Sequence, residues 1–280
     1  MFKKSKHREN FPVGLFVSSK LKNLVKSYYD VARFTDDIVD NPNISSKDKL
    51  AKLENISKAF LNPNGGADIM SVRRLGKLFV ANNLDASLFM DLLVAFERDV
   101  NNKPIRIWEE LIDYCRYSAS PVGRFMLAIH DENPSAYMPA ETLCVMLQII
   151  DHLCDIKQDL SLLKRIYIPQ DMLKRYNVNV NDLGLSYTTP EIASMLSEIS
   201  SKLANMQADT VVLPSLVGNF LLRFEICVIL SLTNSMIQKI KKTDILQMAP
   251  KLGFLTWAKA IIWGLAKAIK SKPLRQGHII

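Results

Sequence analysis

The sequence predicts an all-α protein, on three observations. Only 10 of its 280 residues are glycine, too few for a sheet protein with many tight turns. No unit of roughly 20 to 50 residues repeats, which argues against a solenoid. Apolar residues recur at helical spacing along much of the chain, and no segment demands a strand. With 48% hydrophobic and 23% charged residues, the composition is that of a packed globular protein able to bury a large core. All-helical chains of this length often bury one continuous core, so a single domain over 1–280 is expected, ending in a basic amphipathic helix and tail at 251–280.

The helices follow in order. Ser18 and Ser19 can cap a helix from about Lys20, in which Leu21, Leu24, Val25, Tyr28, Val31, Ala32 and Thr35 keep helical spacing until Asn41-Pro42 stops it. Ser45-Ser46-Lys47-Asp48 offers a second start before Leu50, Leu53, Ile56 and Phe60, and Asn62-Pro63-Asn64-Gly65-Gly66 is a loop. Further helices are expected over 70–81, 86–100, 106–117, 121–130 and 140–160. Thr189-Pro190-Glu191 starts another through about Ala208, and two more cover about 215–241 and 252–270.

Thirty-six basic against 28 acidic residues give a formal charge of +8, which suits nucleic acid, acidic lipid or phosphate as a partner. No nucleic-acid partner is expected, because no recognition motif and no interleaved basic and aromatic face is found. Cys115, Cys144, Cys154 and Cys227 lack CxxC spacing and read as reduced thiols. The basic start is followed by no apolar h-region, and no uncharged stretch approaches the roughly 18 apolar residues of a spanning helix, so a cytoplasmic protein is expected. Lys251, Lys259, Lys267, Lys270, Lys272 and Arg275 meet no acidic residue within 251–280, where Trp257 and Trp263 can sit at an interface. Reversible contact with the inner face of the membrane is one reading of this segment. A terminal helix with a solvated basic face is the other.

The chemistry lies in two acidic clusters. Asp36, Asp37 and Asp40 fall at the carboxyl end of the first long helix, where the helix dipole already disfavours negative charge. Asp36 and Asp40 are four apart, so at 1.5 Å rise per residue their carboxylates stack about 6 Å apart on one face. A lone cluster of this kind could be a solvated acidic turn. Asp151, Asp155 and Asp159 form a second stripe at i, i+4 and i+8 among Leu147, Ile149, Ile150, Leu153 and Ile156. Like charges at this spacing destabilise a helix, so two stripes in a basic protein point to shared hard cations. Magnesium takes oxygen ligands and combines carboxylates with phosphates and water, so two such helices suit a diphosphate.

At this point the sequence resembles the squalene/phytoene synthase family over nearly its whole length. Tyr29-Asp30-Val31-Ala32-Arg33-Phe34-Thr35-Asp36-Asp37-Ile38-Val39-Asp40 is similar to its first aspartate-rich signature. Asp155-Ile156-Lys157-Gln158-Asp159, followed by Arg165-Ile166-Tyr167-Ile168-Pro169, is similar to its second. Glu9-Asn10-Phe11-Pro12-Val13, Tyr114-Cys115-Arg116-Tyr117-Ser118-Ala119-Ser120-Pro121-Val122-Gly123-Arg124 and Leu255-Thr256-Trp257-Ala258-Lys259-Ala260 look most like the hydroxysqualene synthase branch of bacterial hopanoid biosynthesis. The resemblance implies an isoprenoid-synthase helical bundle with a central active-site cavity. It implies magnesium held by Asp36, Asp40, Asp155 and Asp159, with Asp37 and Asp151 beside them. His7, Arg33, Lys164 and Arg165 would meet diphosphate, with Gln148 and Tyr167 completing the substrate site. Its substrate would be presqualene or farnesyl diphosphate, quenched by water, with no NADPH expected. Rival readings within the family are squalene or phytoene synthesis, and a noncatalytic assembly factor, which would be expected to lose the acidic clusters. Asp151 stands where the family usually has asparagine, Cys154 where arginine or glutamine is common, and no tyrosine follows Tyr187.

Tyr29, Tyr114, Tyr117 and Phe125 could line a carbocation cavity, although aromatics at helical spacing also serve as plain core. His130, His152 and His278 show no zinc-ligand spacing.

Overall fold

The cap signals act locally, and the helices follow from them. In the computed structural model, which describes residues 11, 14, 16–66 and 68–271, the Ser45 side chain accepts the Asp48 N–H at 3.1 Å and opens α2 (Ser46–Leu61). It follows α1 (Ser19–Val39), whose buried face is Leu24, Tyr28, Val31, Thr35 and Val39. Ser18 sits at the amino end of α1 but makes no side-chain cap. Next come α3 (Met70–Ala81), α4 (Ser87–Asn101), α5 (Trp108–Ser118) and α6 (Ser120–Ala128). The long α7 (Tyr137–Gln158) runs into a π turn at Asp159–Leu163. Beyond it lie α8 (Gln170–Arg175), α9 (Pro190–Thr210), α10 (Leu213–Leu216), α11 (Phe220–Lys242) and α12 (Phe254–Lys270). No strand occurs among the described residues.

Three boundaries differ from the sequence reading for identifiable reasons. The helix expected from 106 starts at Trp108, because the Glu110 carboxylate accepts the Arg106 backbone N–H at 2.7 Å and leaves Ile107 extended. The helix expected over 215–241 is two elements. Between them Val217 is extended, and Glu132 binds the N–H groups of Gly218 and Asn219 at 2.6 and 2.7 Å. Asn219 then caps α11 by accepting from Leu222 at 3.1 Å. Helix α8 was not expected at all: its six residues are too few to display a period.

The buried apolar residues form one contiguous cluster, with Ile56, Leu75, Phe89, Phe125, Met146, Ile149 and Ile150 among its most deeply buried members. α7 packs against α5, α6, α9 and α11, and α12 lies on α11. Helix α3 crosses α2 so closely that a Cβ on Gly76 would fall 2.3 Å from the Phe60 carbonyl oxygen, so only glycine fits there.

Candidate active site

Residues of α1 at steps of three and then four, Val25, Tyr28, Ala32 and Asp36, together with Asp40 at its carboxyl end, face a cavity of about 410 Å³. The other polar wall comes from α7 and its π turn, through Gln148, Asp151, His152, Asp155 and Asp159. Both predicted stripes therefore meet in one space. Tyr28, Phe125, Leu92, Ala95 and Met126 give the same cavity an apolar region. Tyr28 stacks on Phe125 with ring centres 4.1 Å apart and planes 9° apart, and donates its hydroxyl proton to the Leu88 carbonyl at 2.6 Å.

Arg33 lines the cavity and pairs with Asp36 at 3.1 Å and Asp37 at 3.4 Å. Asp37 itself lies off the cavity wall with its side chain 63% exposed, because a step of one residue turns it roughly 100° from Asp36. Lys164 is also off the wall. It is exposed, has the left-handed φ of 57°, and its carbonyl accepts from Asn102 at 3.2 Å. His7 lies outside the described residues.

The π turn brings the chain back toward α1. Arg165 donates its backbone N–H to the Asp159 carbonyl at 3.1 Å, which aims its guanidinium inward. It meets Asp40 at 2.7 Å and stands 3.9 Å from Asp99. Asp99 is a site residue that sequence reasoning missed. It accepts hydroxyl protons from Tyr114 at 3.0 Å and Tyr167 at 2.9 Å. Burial raises the Asp99 pKa above the usual carboxylate value, although Arg165 and the two hydroxyls work against that shift. Burial, reinforced by the charge of Asp99, pushes both tyrosines well above their ordinary range, so they remain hydrogen donors. For Arg165, burial opposes the charge, but Asp99, Tyr167 and Asp40 more than offset it and hold its pKa up.

His152 completes the wall. Its ring stacks on Tyr167 at 3.6 Å, its Nδ1 lies 3.7 Å from Asp159, and its Nε2 lies 3.2 Å from the Gln148 amide nitrogen. The absence of zinc spacing hid it, because its role runs through stacking. Tyr29, Tyr114 and Phe125 line the cavity as the sequence suggested, whereas Tyr117 instead carries the Arg98 guanidinium over its ring at 4.7 Å. Cys154 is buried and off the cavity wall, its thiol pushed up first by burial and then by Asp151 and Asp155.

Among the described residues no three carboxylate, imidazole or thiol groups converge tightly enough to hold a metal ion unaided. All-oxygen donors on two walls nevertheless suit a hard cation that takes its remaining ligands from phosphate and water.

The family model for squalene/phytoene synthase matches residues 4–245. Over 240 residues the chain is 32% identical to a hydroxysqualene synthase of Sinorhizobium fredii, covering 85% of this chain and 82% of that one. It is 30% identical over 275 residues to a hydroxysqualene synthase of Rhodopseudomonas palustris, covering 98% and 94%. Its fold is similar to the crystal structure of the squalene synthase HpnC from Alicyclobacillus acidocaldarius, with a TM-score of 0.72, 26% identity and coverage of 81% and 86%.

Proposed function

The chain belongs to the squalene/phytoene synthase family, whose members process prenyl diphosphates, and on that premise we propose that it is a hydroxysqualene synthase acting on presqualene diphosphate. The observation that carries this reading is the meeting of both carboxylate stripes, Arg33 and Arg165 with an apolar, aromatic-lined region in one cavity. Asp36, Asp40, Asp155 and Asp159 would hold magnesium, with Asp151 beside them. When bound, the metal supplies electrostatic stabilisation of the leaving diphosphate.

The protein's own groups do the rest. Arg33 and Arg165 present guanidinium donors to phosphate oxygens. The C–O bond to diphosphate breaks with its electron pair leaving on oxygen. The resulting cation lies against the faces of Tyr28 and Phe125, where ring electrons favour positive charge. The apolar wall keeps bulk water from an early capture. The cyclopropylcarbinyl cation rearranges, and as a ring carbon–carbon bond breaks to open the strained ring one admitted water adds through its oxygen and loses a proton to solvent, giving hydroxysqualene.

Incubation of the purified protein with magnesium and presqualene diphosphate in oxygen-18 water, with and without reduced nicotinamide, tests this. Labelled hydroxysqualene is expected in both samples. Squalene formed only with the reductant would assign the chain to another branch of the family.

A further inference from the structure

We propose that the outward face of α12 docks on an anionic lipid bilayer. The helix packs on α11 through Ala260, Gly264 and Ala268, one small residue per turn. The approach is close: a Cβ on Gly264 would lie 2.7 Å from a Val228 methyl and 3.0 Å from the Val228 backbone nitrogen. With small residues against the body, the large ones point away. Leu255, Ile262 and Ile269, spaced by seven, are 73%, 71% and 64% exposed and make one stripe along the helix. Phe254 and Leu265 widen it on one side. At 100° per residue, Lys259, Lys270 and Trp263 fall roughly 60–100° round from Ile262 on the other side. Lys259, Trp263 and Lys270 are all exposed.

An apolar stripe of this length left in water, bordered by lysines, is the pattern of a helix lying in an interface. Charge decides the occupant. The last acidic residue of the chain is Asp244, and its carboxylate is already bound by Thr188 at 2.5 and 3.0 Å. A second copy docked face to face would press lysine rows together with no acidic partner. A bilayer with anionic headgroups accepts the apolar stripe among its acyl chains and the lysines at its phosphates. Helix α11 is a different case. It is long and apolar enough to cross a membrane, but 67% of its apolar window is buried inside the fold, and it serves as a core helix.

Sedimentation of the full-length protein with vesicles of phosphatidylcholine, alone or mixed with phosphatidylglycerol, tests the proposal at low and high salt. Binding to the mixed vesicles alone is expected, weakened by salt. A blue shift of tryptophan emission should accompany it and be reduced in Trp263→Phe. Ile262→Glu with Ile269→Glu should weaken binding by tenfold or more with unchanged helical circular dichroism, since both residues are exposed. Lys259→Gln with Lys270→Gln should also weaken it by on the order of tenfold. Negligible binding to both vesicles, equal binding to both, or binding indifferent to the two lysine substitutions would overturn the proposal. So would a concentration-dependent dimer, abolished by the glutamate variants, in the absence of vesicle binding. Turnover of detergent-dispersed presqualene diphosphate reports the enzymatic reading separately.

Discussion

Arg165 ties α1 to α4 through Asp40 and Asp99, and its side chain is only 9% exposed. Removing one partner of a buried charge network leaves the other uncompensated, which typically costs about 3–5 kcal/mol. Arg165→Met is therefore expected to lose stability on that scale in urea denaturation, and adding Asp99→Asn should recover part of it. A loss below about 1 kcal/mol would show that the network does not brace the site. Asp36, Asp40, Asp155 and Asp159 were legible as a group because they stand in spaced motifs, and Arg165 was legible only through the resemblance. Asp99 was not, because Glu97-Arg98-Asp99 reads as an ordinary charged helix end. Only the fold reveals that this carboxylate turns inward to Tyr114 and Tyr167. The histidine stacked on Tyr167 was hidden for the same reason: its partner lies 15 residues away in sequence and on a different element.

Long helices were legible because two or more turns repeat an apolar face, and caps such as Ser45 and Thr189 act within three residues. The π turn at Asp159–Leu163 was not, since the contacts that hold it, Arg165 to Asp40 and Asn102 to Lys164, come from distant elements. The connection between α11 and α12 is held in a similar way by Asp244, which accepts from Thr188, Leu246 and Gln247. The Thr188 hydroxyl, its backbone N–H and the two further N–H groups hold the Asp244 pKa below its ordinary value. A depressed carboxylate stabilises the fold above its unfolded pKa and ceases to do so as pH falls through the folded one. Asp244→Asn should therefore lower the melting temperature at pH 6, and the gap from the parent protein should close as the pH falls below about 3.8. A gap that stays constant across that acid range would dissociate Asp244 from the connection.

At the scale of the molecule, one cavity joins two acidic stripes carried by α1 and α7. Neither stripe has the donors to act alone, so loss of either should disable the whole site. Asp36→Asn and Asp155→Asn are each expected to slow diphosphate release by about a hundredfold or more, with unchanged helical circular dichroism. Near-parent turnover in both would detach the stripes from the chemistry. The two motifs were legible singly, and their convergence was inferred from charge, because two like-charged stripes in a basic protein call for shared cations; the resemblance then agreed with it. The same separation bears on how the protein is made. Arg165 lies 125 positions after the Asp40 carboxylate it meets. On the ribosome, α1 and α4 emerge with Asp40 and Asp99 still in water, and their cationic partner arrives many seconds later at roughly 5–20 residues per second. The nascent chain therefore carries its acidic wall open until the 125 positions between Asp40 and Arg165 have been synthesised, and the site becomes whole only after that delay.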